Sequence, residues 1–169
     1  MYSPAFNMTE IYGEVMIMKI HDAVLAGDLE SVARLVAESP RRIDLRENGK
    51  SYTTPLLLAL AHSKFEIVHW LVEHGVDVNK TKSARYSDYT FEQHDSPLEV
   101  AVKIDRPDLV ALFLKHGAVL PRTILKFAAS WGRTAIIRTL IDAGAPLNQK
   151  IAFTAPLHEA IDSKHLEIA

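Results

Sequence analysis

Along residues 54–75 the apolar positions fall in two short runs with helical spacing. Leu56, Leu58 and Ala59 make the first run, and Phe65, Ile67, Val68, Leu71 and Val72 the second. Intervals of three and four place each run on one side of a helix. Polar residues and Gly punctuate the runs. Thr54 offers a hydroxyl to cap the first helix, and Pro55 takes the first helical position, where its missing N–H costs nothing. Ser63 and Lys64 turn the chain, and Gly75 stands where a left-handed residue closes the second helix. Helices this short do not bury their apolar faces alone, so the pattern predicts copies stacked on either side.

Those copies are found by following the small residue at Ala59. Its slot is filled by Ala23, Ala59, Ala101, Ala128 and Ala160, at intervals of 36, 42, 27 and 32 residues. The Gly75 slot recurs as Gly117 and Gly144. The opening Thr54-Pro55-Leu56 recurs as Ser96-Pro97-Leu98, Thr123-Ile124-Leu125 and Ala155-Pro156-Leu157. The three anchors recurring in phase resemble the ankyrin repeat, whose period is about 33 residues. The fold this implies is all-α, a solenoid of helix-turn-helix units with protruding loops. Four to five repeats are expected, the last incomplete. Residues 1–18 form an N-terminal extension, with Thr9 capping a helix that covers the first repeat. The repeat domain is 19–169, in units of 19–50, 51–93 with a long loop at 80–94, 94–121, 122–150 and a partial 151–169. Stopping at Ala169 leaves the array open, so the protein is expected to continue or to meet another copy there.

The sequence departs from the family pattern in several places. No unit pairs the opening Thr with a His three residues on: Thr54 faces Leu57, Thr123 faces Lys126, and Ala155 precedes His158. Ser96 and Glu99 match a capping box instead. Residues Arg41–Lys50 hold four basic and two acidic side chains and read as a solvated loop, or as a docking spot for an acidic partner. The 42-residue interval lengthens one loop, which carries Tyr86, Tyr89 and Phe91 in a polar stretch. These aromatics either recognise a partner or fold back on the repeat. The following 27-residue interval shortens the next loop. By resemblance, Trp131 shares with His62 and Ile104 the end of the first helix, on the concave side where ankyrin arrays bind their partners. Trp131 either fills the gap left by the short loop or is a binding hot spot. The candidate contact residues are Tyr52, His62, Tyr86, Tyr89, Phe91, Lys103, Ile104, Arg122 and Trp131.

Composition narrows the function. The 169 residues are 48% hydrophobic and 24% charged, with a formal net charge of −2, which gives no general attraction to phosphate backbones. No apolar run reaches the length of a membrane span. The run Glu14–Met18 lacks the basic leader and cleavage site of a signal peptide. The absence of cysteine fits a reducing, cytoplasmic compartment. The string His158-Glu159-Ala160-Ile161-Asp162 has only the first two residues of a zinc-protease helix, and no phosphate-cradling loop or nucleophile elbow occurs. Neither catalysis, a cofactor nor a metal is expected. The expected function is protein binding through the concave groove and the 80–94 loop. Two alternatives remain: a targeting arm of a larger enzyme or effector, and a scaffold that self-associates through the open C-terminal end.

Overall fold

Short helices need an end signal every few residues, and this chain supplies one at almost every boundary. The computed structural model describes residues 20–45, 53–81 and 95–145, and all regular structure among them is helical. Residues 20–26 are helical, here α1. They are followed by α2 (Leu29–Glu38), a 3₁₀ turn (Pro40–Asp44), α3 (Pro55–Ala61), α4 (Phe65–Glu73), α5 (Pro97–Lys103), α6 (Pro107–Lys115), α7 (Ile124–Ser130) and α8 (Thr134–Asp142).

The caps are those the sequence offers. The Thr54 hydroxyl accepts from the Leu57 N–H at 3.3 Å, and Pro55 opens α3. Ser96 and Glu99 form a complete capping box on α5. The Ser96 hydroxyl accepts from the Glu99 N–H at 3.3 Å, and the Glu99 carboxylate accepts from the Ser96 N–H at 2.8 Å. Such a cap contributes about 1 kcal/mol to its helix. Asp28 caps α2 by accepting from the Ser31 N–H, and hydrogen bonding by the Ser31 side chain, followed by this backbone bond, lowers the Asp28 pKa below its ordinary value. Gly75, Gly117 and Gly144 close α4, α6 and α8 with φ of 85°, 84° and 85°. The starts of α4, α6 and α8 have no side-chain cap, and Thr123, which the sequence offers for α7, lies at φ −85°, ψ −7° and caps nothing either. In the shortened connection the Ile124 N–H bonds back to the Pro121 carbonyl, which draws Thr123 into a helical conformation and away from the extended one a cap requires.

The described residues fall into two compact units. Unit one holds residues 20–45, 53–77 and Thr81. There α2 packs on α4 and the 3₁₀ turn bridges α2 and α3. Its core contains Ile20, Val24, Val32, Leu56, Leu60, Ile67, Val68 and Leu71. Among the buried polar residues of this unit are His21 and Arg42. His21, 2% exposed, stands in the slot that Leu57 fills one repeat later, and its Nε2 lies 3.1 Å from the Thr53 carbonyl, to which it donates. Arg42, expected in a solvated loop, is 3% exposed. The turn after Pro40 folds it back onto α2, where Nη1 donates to the Leu35 carbonyl at 3.0 Å and to Glu38 Oε2 at 3.1 Å. This arginine gives a helix-end carbonyl a second donor beside the Ser39 N–H, which bonds to it at 3.3 Å.

Unit two holds residues 78–80 and 95–145 in two layers: α5 lies beside α7, and α6 beside α8. Leu98, Leu109, Val110, Phe113, Ile124, Ile136 and Leu140 fill the space between them. The Asn79 side chain ties the connections of the unit together. Its Nδ2 donates to the Gly117 carbonyl at 3.1 Å, and its Oδ1 accepts from the Val119 N–H at 2.8 Å.

Candidate interaction surface

The candidate surface of unit two is set by which side of α7 is buried. Ile124, Leu125, Ala128 and Ala129 turn inward, and the same helical period leaves Lys126, Phe127, Ser130 and Trp131 on the other side. Phe127 and Trp131, four residues apart, are 40% and 37% exposed. Their rings stack at 6.0 Å between centroids and 22° between planes. On α5, the inward turn of Leu98, Val100, Ala101 and Val102 leaves Lys103 at the edge, with Nζ 5.9 Å from the centre of the Trp131 ring. At that distance a cation and an indole face attract by about 0.5–1 kcal/mol.

Two ion pairs hold this edge in place. Lys103 Nζ meets Asp95 Oδ2 at 2.5 Å, and the carboxylate is nearly buried beneath it. Arg133 donates from Nη1 to Asp105 Oδ2 at 3.0 Å and from Nη2 to the Lys103 carbonyl at 3.2 Å. Asp105 carries the turn between α5 and α6 at φ +57°, a left-handed conformation that aspartate tolerates better than most side chains. The Arg133 Nε is buried and has no partner among the described residues. Arg133 therefore clasps the α5–α6 turn to the α7–α8 turn and fixes the surroundings of Trp131.

Arg106 and Asp108 make a bidentate pair at the start of α6, at 2.8 and 2.6 Å. The Arg106 hydrogen bond holds the Asp108 carboxyl below its ordinary pKa of 3.8, and the same bond raises the Arg106 pKa. A carboxylate with a depressed folded pKa adds stability that is present above the unfolded value and lost as the pH falls through the folded value. Asp108→Asn should therefore lower the stability slightly above about pH 4, by little because the carboxylate is half-exposed, and the two curves should converge as the pH falls below that. Urea midpoints of the two proteins across that range check it.

The residues singled out in the sequence fall into three groups. Lys103 and Trp131 are brought together, and Ile104 ends α5 as Trp131 ends α7. Arg122 is exposed just ahead of α7, while His62 is exposed at the end of α3 in unit one. Tyr52, Tyr86, Tyr89 and Phe91 lie outside the described residues, as does the string from His158 to Asp162. Sequence reasoning missed Phe127, Arg133 and Asp105. The four-residue spacing of Phe127 and Trp131 was the available signal for the first; nothing local marks the Arg133–Asp105 pair, which spans 28 residues.

Among the described residues no cluster of His, Cys, Asp or Glu could hold a metal ion, and no helix is long and apolar enough to cross a membrane. The face thus combines two exposed aromatics, a cation near the indole and clasped backbone turns.

Comparison with known proteins agrees with the geometry. A family model described as ankyrin repeats, in three copies, matches residues 20–122. The chain is 31% identical over 164 residues to an ankyrin repeat protein of fowlpox virus, covering 92% of this chain and 34% of that protein. It is 26% identical over 146 residues to an ankyrin repeat and KH domain-containing protein of Caenorhabditis elegans, covering 84% of this chain and 5% of that one. The chain thus spans a third or less of the length of these relatives. Ankyrin repeats are generally protein–protein interaction modules and are typically non-catalytic. With paired short helices closed by left-handed glycines, and with more than half of its length matched by the family model, the chain belongs to the ankyrin-repeat family.

Proposed function

We propose that this chain is a non-catalytic array that binds a protein partner, and that the α5–α7 face of unit two is one of its contact surfaces. The observation that carries the reading is Trp131. A large apolar side chain at the end of a helix, 37% exposed and held by a stack and a nearby cation, is available to a partner without rearrangement of the core. Lys103 borders it, Ile104 ends α5 as Trp131 ends α7, and Arg122 is exposed ahead of the start of α7. The loop of residues 80–94, with Tyr86, Tyr89 and Phe91, is assigned as a second contact element on its composition.

Quantitative affinity capture from lysate of the source organism tests this, comparing the intact chain with Trp131→Ala and, separately, with residues 82–92 deleted. Circular dichroism first establishes that each variant is folded. A partner retained by the intact chain should be held about 30-fold more weakly or worse by Trp131→Ala, since truncating a hot-spot tryptophan costs about 2 kcal/mol or more. Equal retention by the intact chain and the folded Trp131→Ala variant would remove this face from the function.

A further inference from the structure

The charges of the chain are not evenly spread. Between Asp108 and Asp142 lie Lys115, Arg122, Lys126, Arg133 and Arg138, and no aspartate or glutamate. Among the described residues, unit one carries 4 Lys and Arg against 8 Asp and Glu. Unit two carries 8 against 5. Four of those five carboxylates are already engaged inside the unit. Asp95 meets Lys103, Glu99 accepts from Ser96, Asp105 meets Arg133, and Asp108 meets Arg106. Arg122 stands just ahead of α7 and Lys126 in its first turn, on the helix whose outward side carries Phe127 and Trp131.

We infer that the α5–α7 face of unit two receives an acidic segment of a partner protein, whose carboxylates meet Arg122 and Lys126 while an apolar side chain lies on the Phe127–Trp131 stack. The inference rests on the proposed function and adds the chemistry of the partner. Charge complementarity selects the occupant: arginine and lysine attract carboxylates, and an aromatic pair beside them rewards an apolar neighbour to those carboxylates. A polynucleotide fits less well. Its charge is continuous along the strand, so it meets the whole chain, whose net charge is −2, whereas a short acidic segment meets only the local face.

A fluorescein-labelled peptide of repeated Glu-Glu-Leu triplets is the probe, with Gln-Gln-Leu and Lys-Lys-Leu peptides as controls. Anisotropy measures binding, and the indole N–H resonance of Trp131, assigned with Trp131→Phe, locates it. The acidic peptide should bind, shift that resonance and leave the Trp70 indole in place. Raising salt from about 0.01 to about 1 M shortens the screening length from about 30 to about 3 Å and should abolish the binding. Arg122→Glu, a change at an exposed position, should weaken it at least ~10-fold, and Trp131→Ala by a similar factor. Equal binding of the three peptides, or binding that leaves the Trp131 indole unmoved, overturns the inference. So does tighter binding of an oligothymidylate than of the acidic peptide, which would make the face a nucleic-acid surface. Concentration-dependent light scattering lost in Arg122→Glu also overturns it, because the occupant is then a second copy. If the acidic peptide fails while lysate capture still depends on Trp131, the interaction surface stands and only the acidic chemistry falls.

Discussion

Phe113→Ala is expected to destabilise unit two by about 3–5 kcal/mol, the usual cost of removing a fully buried phenylalanine. Phe113 is completely buried in α6, in the layer that packs on α8, and it is the largest fully enclosed side chain among the described residues. Its carbonyl also accepts from the His116 and Ala118 N–H groups, so the backbone beneath the side chain closes the helix at Gly117. Truncation leaves a void between two helices that are already pinned by their caps and turns, and such a site collapses poorly. In a repeat array each unit depends on its own core and its nearest neighbours, so the damage should be local. Two tryptophans make this measurable, since Trp70 lies in α4 of unit one and Trp131 at the end of α7 in unit two. In urea, the Trp131 signal of a Trp70→Phe background should move to a lower midpoint, while the Trp70 signal of a Trp131→Phe background moves less. A loss below about 1 kcal/mol would mean that Phe113 is not the centre of that core.

Arg42→Ala is expected to cost about 2–3 kcal/mol, through the lost packing of a buried side chain and the loss of a charge-assisted hydrogen bond to a carbonyl. The guanidinium donates to the Leu35 carbonyl, and the stem of the side chain is enclosed between the 3₁₀ turn and α2. Glu38, its ionic partner, is half-exposed at 52%, so the ion pair itself contributes little. Arg42→Met separates the two effects: it keeps the apolar stem and removes the donor. Glu38→Gln should change the unfolding free energy by less than about 1 kcal/mol. If Arg42→Met is as stable as the parent protein, the hydrogen bond to Leu35 is not what holds the turn. Hydrogen exchange at the Ser39 amide, which bonds to the same Leu35 carbonyl at 3.3 Å, provides a local readout.

Much of this fold is legible in the chain because the decisive interactions are local. Thr54 reaches three residues to Leu57, Ser96 and Glu99 cap each other over the same distance, and Gly75, Gly117 and Gly144 act through their own φ. Interactions between distant residues are another matter. The His21 bond to the Thr53 carbonyl spans 32 residues, and the Arg133 clasp on Asp105 spans 28. Neither distance leaves a periodic trace. Arg42 shows the same limit in a different form: a basic residue after a proline in a charged stretch reads as solvated, and only the path of the 3₁₀ turn brings it under α2. Thr123 fails as a cap because the preceding loop is short, which a comparison of single positions does not reveal. At the candidate surface, the place of Trp131 follows from the helix-end slot it shares with His62 and Ile104, and Lys103 is the residue before Ile104. The outward turn of Phe127 does not follow from its slot, because the corresponding Val100 is fully buried.

The Asn79 clamp has an evolutionary consequence. Residues 78–80 belong to unit two, as do Asp95 and those after it, so the chain leaves that unit and returns to the same unit. Both gates are fastened from within, Asn79 by Gly117 and Val119, Asp95 by Lys103. Doubling the length of what is spliced between the gates costs only about 0.6 kcal/mol of closure entropy, so a change there is expected to leave the helices in register. A lineage can thus rewrite the intervening segment, in length and in chemistry, while the repeat that carries it is inherited unchanged.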